Sequence, residues 1–375
     1  MLAEFLYFYI MKLSAITQYL ERIAPLNYQE DYDNSGLLVG SPEMDVSKIL
    51  VALDCTEAVV DEAVAQQCGL IITHHPIVFK GLKKLNGKTY VERVVLKAIK
   101  NDIALYAIHT NLDHVATGVS GEICRRLGLE GIKILSPKTG LLKKLVTFCP
   151  EESAGNVKDA LFRAGAGHIG NYSECSFSHA GEGTFKANDA ATPYVGEINV
   201  RHTETEQRIE VVYKIQDERK IIVALLESHP YEEVAYDCYA ITNALDHVGA
   251  GMAGWLPREM DADSFLKLVK ERMQAKVIRY TQPPAKPIKK VAVCGGSGSF
   301  LLKDALAQGA DAFVTADFKY HEFFDAEGKL MICDIGHYES EQFTSDLLAG
   351  WLKHDFPGLD VRLSGINTNP VNYFV

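Results

Sequence analysis

The chain has 375 residues, 47% of them hydrophobic and 23% charged, with a net charge of −11. That length exceeds what one core usually holds, so two domains or a domain with an insert are expected, and the composition excludes long disorder. The acidic balance disfavours non-specific nucleic-acid binding, and eight scattered cysteines with no CxxC pair suit reduced thiols in a cytoplasm rather than a disulfide frame or a structural zinc site.

The opening ten residues, Met1 to Ile10, are apolar but lack a basic leader, a cleavage site and the length to span a membrane. A second methionine follows at Met11, so this stretch is expected to be an upstream extension. MKLSAITQYLERIAP then predicts an amphipathic helix, with Ile16, Leu20 and Ile23 on one face and Pro25 at its end. DYDNSGLLVG, Asp31 to Gly40, predicts a turn into a strand. Lys48 to Asp54 reads as the next strand, and Thr56 caps a helix that leads to the short β-branched run Leu70 to Ile72, a buried parallel strand.

That strand ends at Thr73, His74, His75 and Pro76, where open α/β sheets place their ligands. Neighbouring residues on an extended chain point to opposite sides, so His74 and His75 suit two ions lying close together better than one. A structural pair bonded to loop carbonyls is the alternative. A helix from about Tyr90 to Lys100 brings the chain to a second buried strand, whose end carries His109, Asn111, Asp113 and His114, and a helix from Val119 to Leu127 follows.

From Leu142 to Ala244 the pattern changes. KKLVTFCP, a helix near Ala154 to Ala164, Gly- and Asn-rich turns around Gly165 to Gly183, RIEVVYKI, a helix from about Glu218 and HPYEEVAYDCYAI give the split βαβ order of a ferredoxin-like α+β domain, read as an insert. The expected divisions are 1–140, 141–244 and 245–375. Beyond the insert come a helix over Asp263 to Ala275, a proline-rich connector at Gln282 to Pro287, and a return to βαβ style. Here the chain echoes itself: Lys48 to Thr73 resembles Lys290 to Thr315, and ALYAIHTNLD aligns with KLMICDIGHYES. Two related α/β halves facing their strand ends across a cleft are therefore expected. A second echo sets DHVATGVSG, from Asp113, against DHVGAGMAG, from Asp246; the latter reads as a Gly-rich loop entry and Asp246 not as a ligand. Gly295, Gly296 and Gly298 read as a tight turn, without the lysine or spacing of a phosphate-binding motif.

The third cluster ends a strand at Asp334 and opens a helix carrying His337 and Glu341, which share a helix face at i and i+4. Their alternatives are a capping histidine and a partner for the helix dipole. Together, His74, His75, Asp113, His337 and Glu341 match a dinuclear site for two divalent ions, Zn foremost, with Mn, Fe or Mg as alternatives.

HHP after one strand, HTNLD after the next, GHYESE near the C-terminus and DNSGLLVG near the N-terminus jointly resemble the Nif-three-like family, also called the GTP cyclohydrolase 1 type 2 family. The resemblance covers about Met11 to Pro137 and Asp246 to the end, and the insert resembles the PII-like or CutA-like domain of longer members. It implies a layered αβα fold, with His75 and Asp113 sitting with Glu341 on one ion or its neighbour, His74 and His337 completing the pair, and Glu341 bridging. It also implies a toroidal homohexamer with the metal sites facing an internal cavity; a membrane partner is not expected. The implied reaction is that of a metal-dependent hydrolase, in which metal-bound hydroxide attacks C8 of the guanine ring of GTP and releases formate. The alternative is a non-enzymatic metal-binding regulatory or assembly protein whose insert senses a small molecule; nucleic-acid processing is disfavoured by the charge. His109, ending the same strand as Asp113, is read evenly as a catalytic proton carrier or as the residue holding Asp113. Asp317 and His321 are lesser candidates for substrate contact, with Asp317 as a helix cap the competing reading. Tyr338 and Glu339 are expected at solvent or subunit contacts.

Overall fold

A computed structural model describes residues 10–374. The expected upstream extension lies outside the described residues, Ile10 excepted. The chain forms two compact units, one running to Pro137 and resuming at Asp246, the other spanning Lys138–Leu245.

The first stretch comprises β1 (Met11–Lys12), α1 (Leu13–Ile23), β2 (Gly36–Val39), β3 (Asp45–Val46), β4 (Lys48–Ala52), α2 (Glu57–Gln66), β5 (Leu70–Thr73), α3 (Tyr90–Lys100), β6 (Ala104–Ala107), α4 (Thr110–Asp113), α5 (Val119–Leu127) and β7 (Glu130–Lys138). Helix α1 buries Leu13, Ile16 and Leu20. The hydroxyls of Thr56 and Thr89 accept the backbone N–H groups of Val59 and Glu92, which starts α2 and α3 at those positions and is worth about 1 kcal/mol for each cap. Gly128, at φ +70°, takes the left-handed turn that closes α5.

The second unit contains β8 (Leu142–Pro150), α6 (Ala154–Arg163), β9 (Ser176–Lys186), β10 (Arg201–Lys214), α7 (Glu218–Ser228) and β11 (Tyr236–Ala240). Its four strands are antiparallel in the order β11-β8-β10-β9, and its core gathers Leu145, Val157, Leu161, Val211, Ile221 and Leu225. One sequence expectation needs correcting here. The stretch read as turns to Gly183 contains most of β9, and β10 starts well before RIEVVYKI. SFSHAGEGTFK has little apolar alternation; its extended form is held by the ladder that pairs Arg201 through Val211 with Lys186 back to Ser176.

The chain returns as β12 (Leu245–Met260), α8 (Ala262–Arg272), β13 (Arg279–Tyr280), β14 (Ile288–Ser297), α9 (Leu302–Ala307), β15 (Ala312–Ala316), β16 (Met331–Asp334), α10 (His337–Glu341), α11 (Thr344–Asp355) and β17 (Asp360–Leu363). The first unit thus holds two sheets, ordered β17-β4-β5-β6-β2 and β13-β16-β15-β14-β12-β7, beside the small β1–β3 pair. Strands β4, β5 and β6 are parallel, as are β14, β15 and β16. Burial on both faces explains their continuous apolar runs. The Asp246 segment is not a loop entry: it lies in β12, an antiparallel partner of β14. Within the DHV echo, Val115 and Val248 form an antiparallel bridge, and the Gly249 N–H donates to the His114 carbonyl at 2.8 Å. Among the described residues, no helix is long and apolar enough to cross a membrane.

Candidate metal centre

Strand β5 ends at Thr73 and hands the chain to two imidazoles held in different ways. His74 is wholly buried, and its Nδ1 donates to the Ile108 carbonyl at 2.8 Å, which leaves Nε2 as the lone-pair nitrogen. His75 places Nδ1 2.7 Å from Asp54 Oδ1 and Nε2 3.0 Å from Glu341 Oε2. Asp113, at the end of α4 just past β6, sets Oδ1 3.6 Å from His74 Nε2. From the second sheet, Gly336 turns the chain at φ +95° into α10, whose His337 and Glu341 lie one turn apart with Nε2 and Oε2 separated by 3.1 Å. The Nδ1 of His337 is 2.6 Å from Asp317 Oδ2, and its Nε2 lies 3.3 Å from His75 Nε2. His109 is bonded through Nδ1 to Asp33 at 2.8 Å, and its ring centroid stands 5.2 and 5.3 Å from those of His74 and His75.

Three overlapping groups result: His75, His337 and Glu341; His74, Asp113 and Glu341; and His74, His75 and His109. The ligand atoms of each lie within 4.8 Å of one another, which suits a metal ion. Glu341 belongs to two groups. The resemblance does not fix which histidine serves which ion; in the structure His74 stands with Asp113, and His75 stands with His337. Three buried atoms here, His74 Nε2, Asp113 Oδ1 and Glu341 Oε2, make no hydrogen bond. Buried polar atoms are seldom left so, and cations held by these groups would satisfy them.

The electrostatics agree with that need. Burial pushes the Asp113 carboxyl well above its ordinary range, and the neighbouring Glu341 charge adds to the shift. Burial opposes ionisation of Glu341 too, but the His75 and His337 imidazoles hold it well below the usual carboxylate range. Burial pulls both of those imidazoles down, yet the Glu341 charge, with Asp54 beside His75 and Asp317 beside His337, lifts them to about 10 and about 11. Burial alone dominates at His74 and lowers it. Without a metal, protons on two imidazoles thus compensate the buried Glu341 charge.

Several readings of the sequence change at this point. Asp317, in left-handed backbone at φ +57°, is not the cap of the helix that follows, whose N-cap is Lys319; it is bonded to His337 and orients it. Asp54 and Asp33, which the sequence reading passed over as site residues, do the same for His75 and His109. The bonded partner of His109 is therefore Asp33 and not Asp113. Asp33 also accepts from the Thr110 N–H and hydroxyl, and burial opposes its ionisation, but the His109 bond and charge hold its pKa low. Each of the three acids stands at a strand end or turn, the one available signal. His321 is exposed and packs against Tyr320 and Phe324. Glu339 is buried rather than solvent-facing, and accepts from Asn369 Nδ2 at 3.2 Å. The glycine run has a tighter role than a turn: a Cβ on Gly296, which has φ +60°, would come within 2.3 Å of Glu341 Oε1, and the Gly296 N–H donates to Ser340 Oγ at 2.8 Å. The bare backbone lets the Glu341 carboxylate lie against β14.

Fold and site together define an α/β protein of several sheets whose buried and half-buried histidines and carboxylates, gathered at strand ends, are able to hold metal. Comparison with known proteins narrows that class. The chain belongs to the Duf34/NIF3 (NGG1p interacting factor 3) family, whose profile matches residues 11–370. It is 38% identical over 364 residues to a Halalkalibacterium halodurans protein named GTP cyclohydrolase 1 type 2 homolog, covering 96% of this chain and 98% of that one. A Bacillus subtilis protein of the same name is 37% identical over 364 residues, covering 96% and 97%. The crystal structure of a Bacillus cereus protein related to NIF3 superposes with a TM-score of 0.80 at 36% identity, covering 97% of this chain and 99% of that one.

Proposed function

We propose that this chain is a divalent-metal-dependent hydrolase acting on a purine nucleotide, with two ions held where two related α/β halves face each other. The observation that carries this reading is the convergence of His74 Nε2, Asp113 Oδ1 and Glu341 Oε2, buried and without hydrogen bonds. His75, His337 and Glu341 would hold one ion and His74, Asp113 and Glu341 the other, with Glu341 common to both groups. Three imidazoles and two carboxylates suit Zn first, with Mn, Fe or Mg as alternatives. When bound, such ions supply Lewis acidity and a hydroxide nucleophile near neutral pH.

The protein's own part is positional. Asp54, Asp317 and the Ile108 carbonyl engage the Nδ1 atoms of His75, His337 and His74, so that each Nε2 faces the centre. His109, its ring held by Asp33 through Nδ1, serves in this reading as the proton carrier beside His74 and His75. The relatives' name points to GTP and to opening of its imidazole ring. Formate release from GTP by protein reconstituted separately with Zn, Mn, Fe and Mg tests this, with Glu341→Ala as control. Turnover in one metal form that vanishes in the variant supports the reading. No turnover in any metal-loaded form sinks GTP as substrate.

A second reading, a metal-binding regulatory or assembly protein with a PII-like sensing insert, has its own support. The second unit bears a solvent-open pocket of about 930 Å³ lined by Phe148, Phe185, Tyr194, Glu206, Arg208 and Tyr231, a size that suits a small molecule. Assembly as a homohexamer belongs to both readings, and light scattering on the metal-loaded protein tests it.

A further inference from the structure

Two aromatic rings stand exposed beside the metal centre. Tyr32 is 65% exposed in the turn that carries Asp33, and Phe79 is 44% exposed three residues after Pro76. Their rings are 27° from parallel with centroids 6.3 Å apart, and Phe79 meets the His109 ring nearly edge-on at 5.9 Å. Neither ring hangs on a loose loop. Asp33, next to Tyr32, orients His109, and Asn34 Nδ2 donates to the Val78 carbonyl at 2.6 Å, tying the two segments together.

The residues after Phe79 supply a second, independent observation. KGLKKLNGK, residues 80–88, carries Lys80, Lys83, Lys84 and Lys88 and no acid, in a chain of net charge −11. All four lysines are exposed. Among the described residues none of the four forms an ion pair, whereas the next two cations, Arg93 and Lys97, are paired with Glu57 and Asp61. The acids around the centre, Asp33, Asp54 and Asp317, work against an approaching polyanion. A local run of free positive charge offsets that repulsion where it matters.

We propose that Tyr32 and Phe79 form the stacking platform, and Lys80, Lys83 and Lys84 the counter-charge, through which this centre takes a ligand that is both planar-aromatic and polyanionic. Stacking accepts any flat ring because each presents a π face, so the platform fixes the ring while the ammonium groups hold phosphate or a similar anion. The proposal builds on the hydrolase reading for what happens after binding, but binding itself is measured separately. Free nucleotides and single-stranded nucleic acid share the required chemistry.

The test is calorimetric titration of the metal-loaded full chain with GTP, ATP, flavin mononucleotide, guanosine, inorganic triphosphate and a short single-stranded oligonucleotide. Nucleotides are expected to bind more tightly than guanosine or triphosphate alone. Phe79→Ala is expected to weaken them roughly 5- to 150-fold, the span of one lost stacking contact, with metal content unchanged. Tyr32→Ala repeats the test at the more exposed ring, should the Phe79 variant lose metal. Replacing Lys80, Lys83 and Lys84 by alanine should weaken binding and flatten its salt dependence. Tighter binding of the oligonucleotide than of free nucleotide supports the platform and assigns it to single strands; the reverse order assigns it to free nucleotides. Absence of ring-dependent binding, or unchanged affinity in metal-replete Phe79→Ala and Tyr32→Ala, overturns the proposal. Ring-dependent binding without formate release would leave the platform standing and remove the hydrolase. Turnover with an unaltered KM in both aromatic variants would do the opposite.

Discussion

Asp54 touches no candidate ligand atom that faces the centre, yet removing it should cost metal. Its Oδ1 lies 2.7 Å from His75 Nδ1 and its Oδ2 accepts the Thr368 hydroxyl at 2.5 Å, so the carboxylate is fixed from both sides and in turn fixes the imidazole. Burial works against the Asp54 charge, but the His75 bond and its charge keep the carboxyl below its usual range. Asp54→Ala frees the His75 ring to rotate and to change tautomer. Loss of one such orienting partner lowers metal affinity about 10- to 100-fold, or about 1.4–2.7 kcal/mol. Asp54→Asn keeps an acceptor and should fall near the lower end, and Thr368→Val, which removes only the second tether, should cost less still. Zn affinity is read by competition with a chromophoric chelator at fixed pH, with circular dichroism as the check on folding. A folded Asp54→Ala protein within about twofold of wild type would refute the argument that the Nδ1 tether sets the ligand.

Stripped of metal, the protein should lose stability as pH rises from about 6.5 toward 10 to 11, because His75 and His337 bind protons more tightly folded than unfolded and that advantage disappears as pH passes their folded values. Asp33 and Glu341 act in the opposite direction, their contribution being lost as pH falls below the ordinary carboxylate range. The thermal midpoint of chelator-treated protein should therefore peak between these limits, and a flat profile from neutral to alkaline pH would contradict the assignment. Gly296→Ala places a Cβ 2.3 Å from Glu341 Oε1 on backbone at φ +60°, a conformation that itself costs about 1–2 kcal/mol for a non-glycine residue. Reduced metal content by mass spectrometry, together with a lowered midpoint, is expected; retention of full metal content would show that Glu341 relocates without consequence.

The side chains that converge were legible because each ends an apolar run or shares a helix face, patterns that survive in one dimension. His74 and His75 close β5, Asp113 follows β6, and His337 and Glu341 lie one turn apart after β16. Their partners were not legible in the same way. Asp33, Asp54 and Asp317 look like turn or capping acids until the fold brings them to an imidazole 76, 21 or 20 positions away. Which histidine stands with which acid also depends on how the two sheets meet, and no spacing encodes that. In the second unit, β9 escaped because its polar, glycine-containing sequence owes its strand form to the neighbour it pairs with. Glu339 looked like a surface residue because a short helix turn does not reveal that Asn369, from the chain's last residues, packs over it.

His74 and Glu341 stand 267 positions apart, with all of Lys138–Leu245 between them. On the ribosome, strands β2, β4, β5 and β6 and the insert have left the exit tunnel long before α10 is made, and domains tend to fold as units in order of synthesis. Until that helix arrives, neither of the two groups containing Glu341 exists. A growing or truncated chain thus exposes His74 and His75 without the acid they share, and metal held by the two groups that contain Glu341 becomes a report that translation passed α10 and that the helix reached its place.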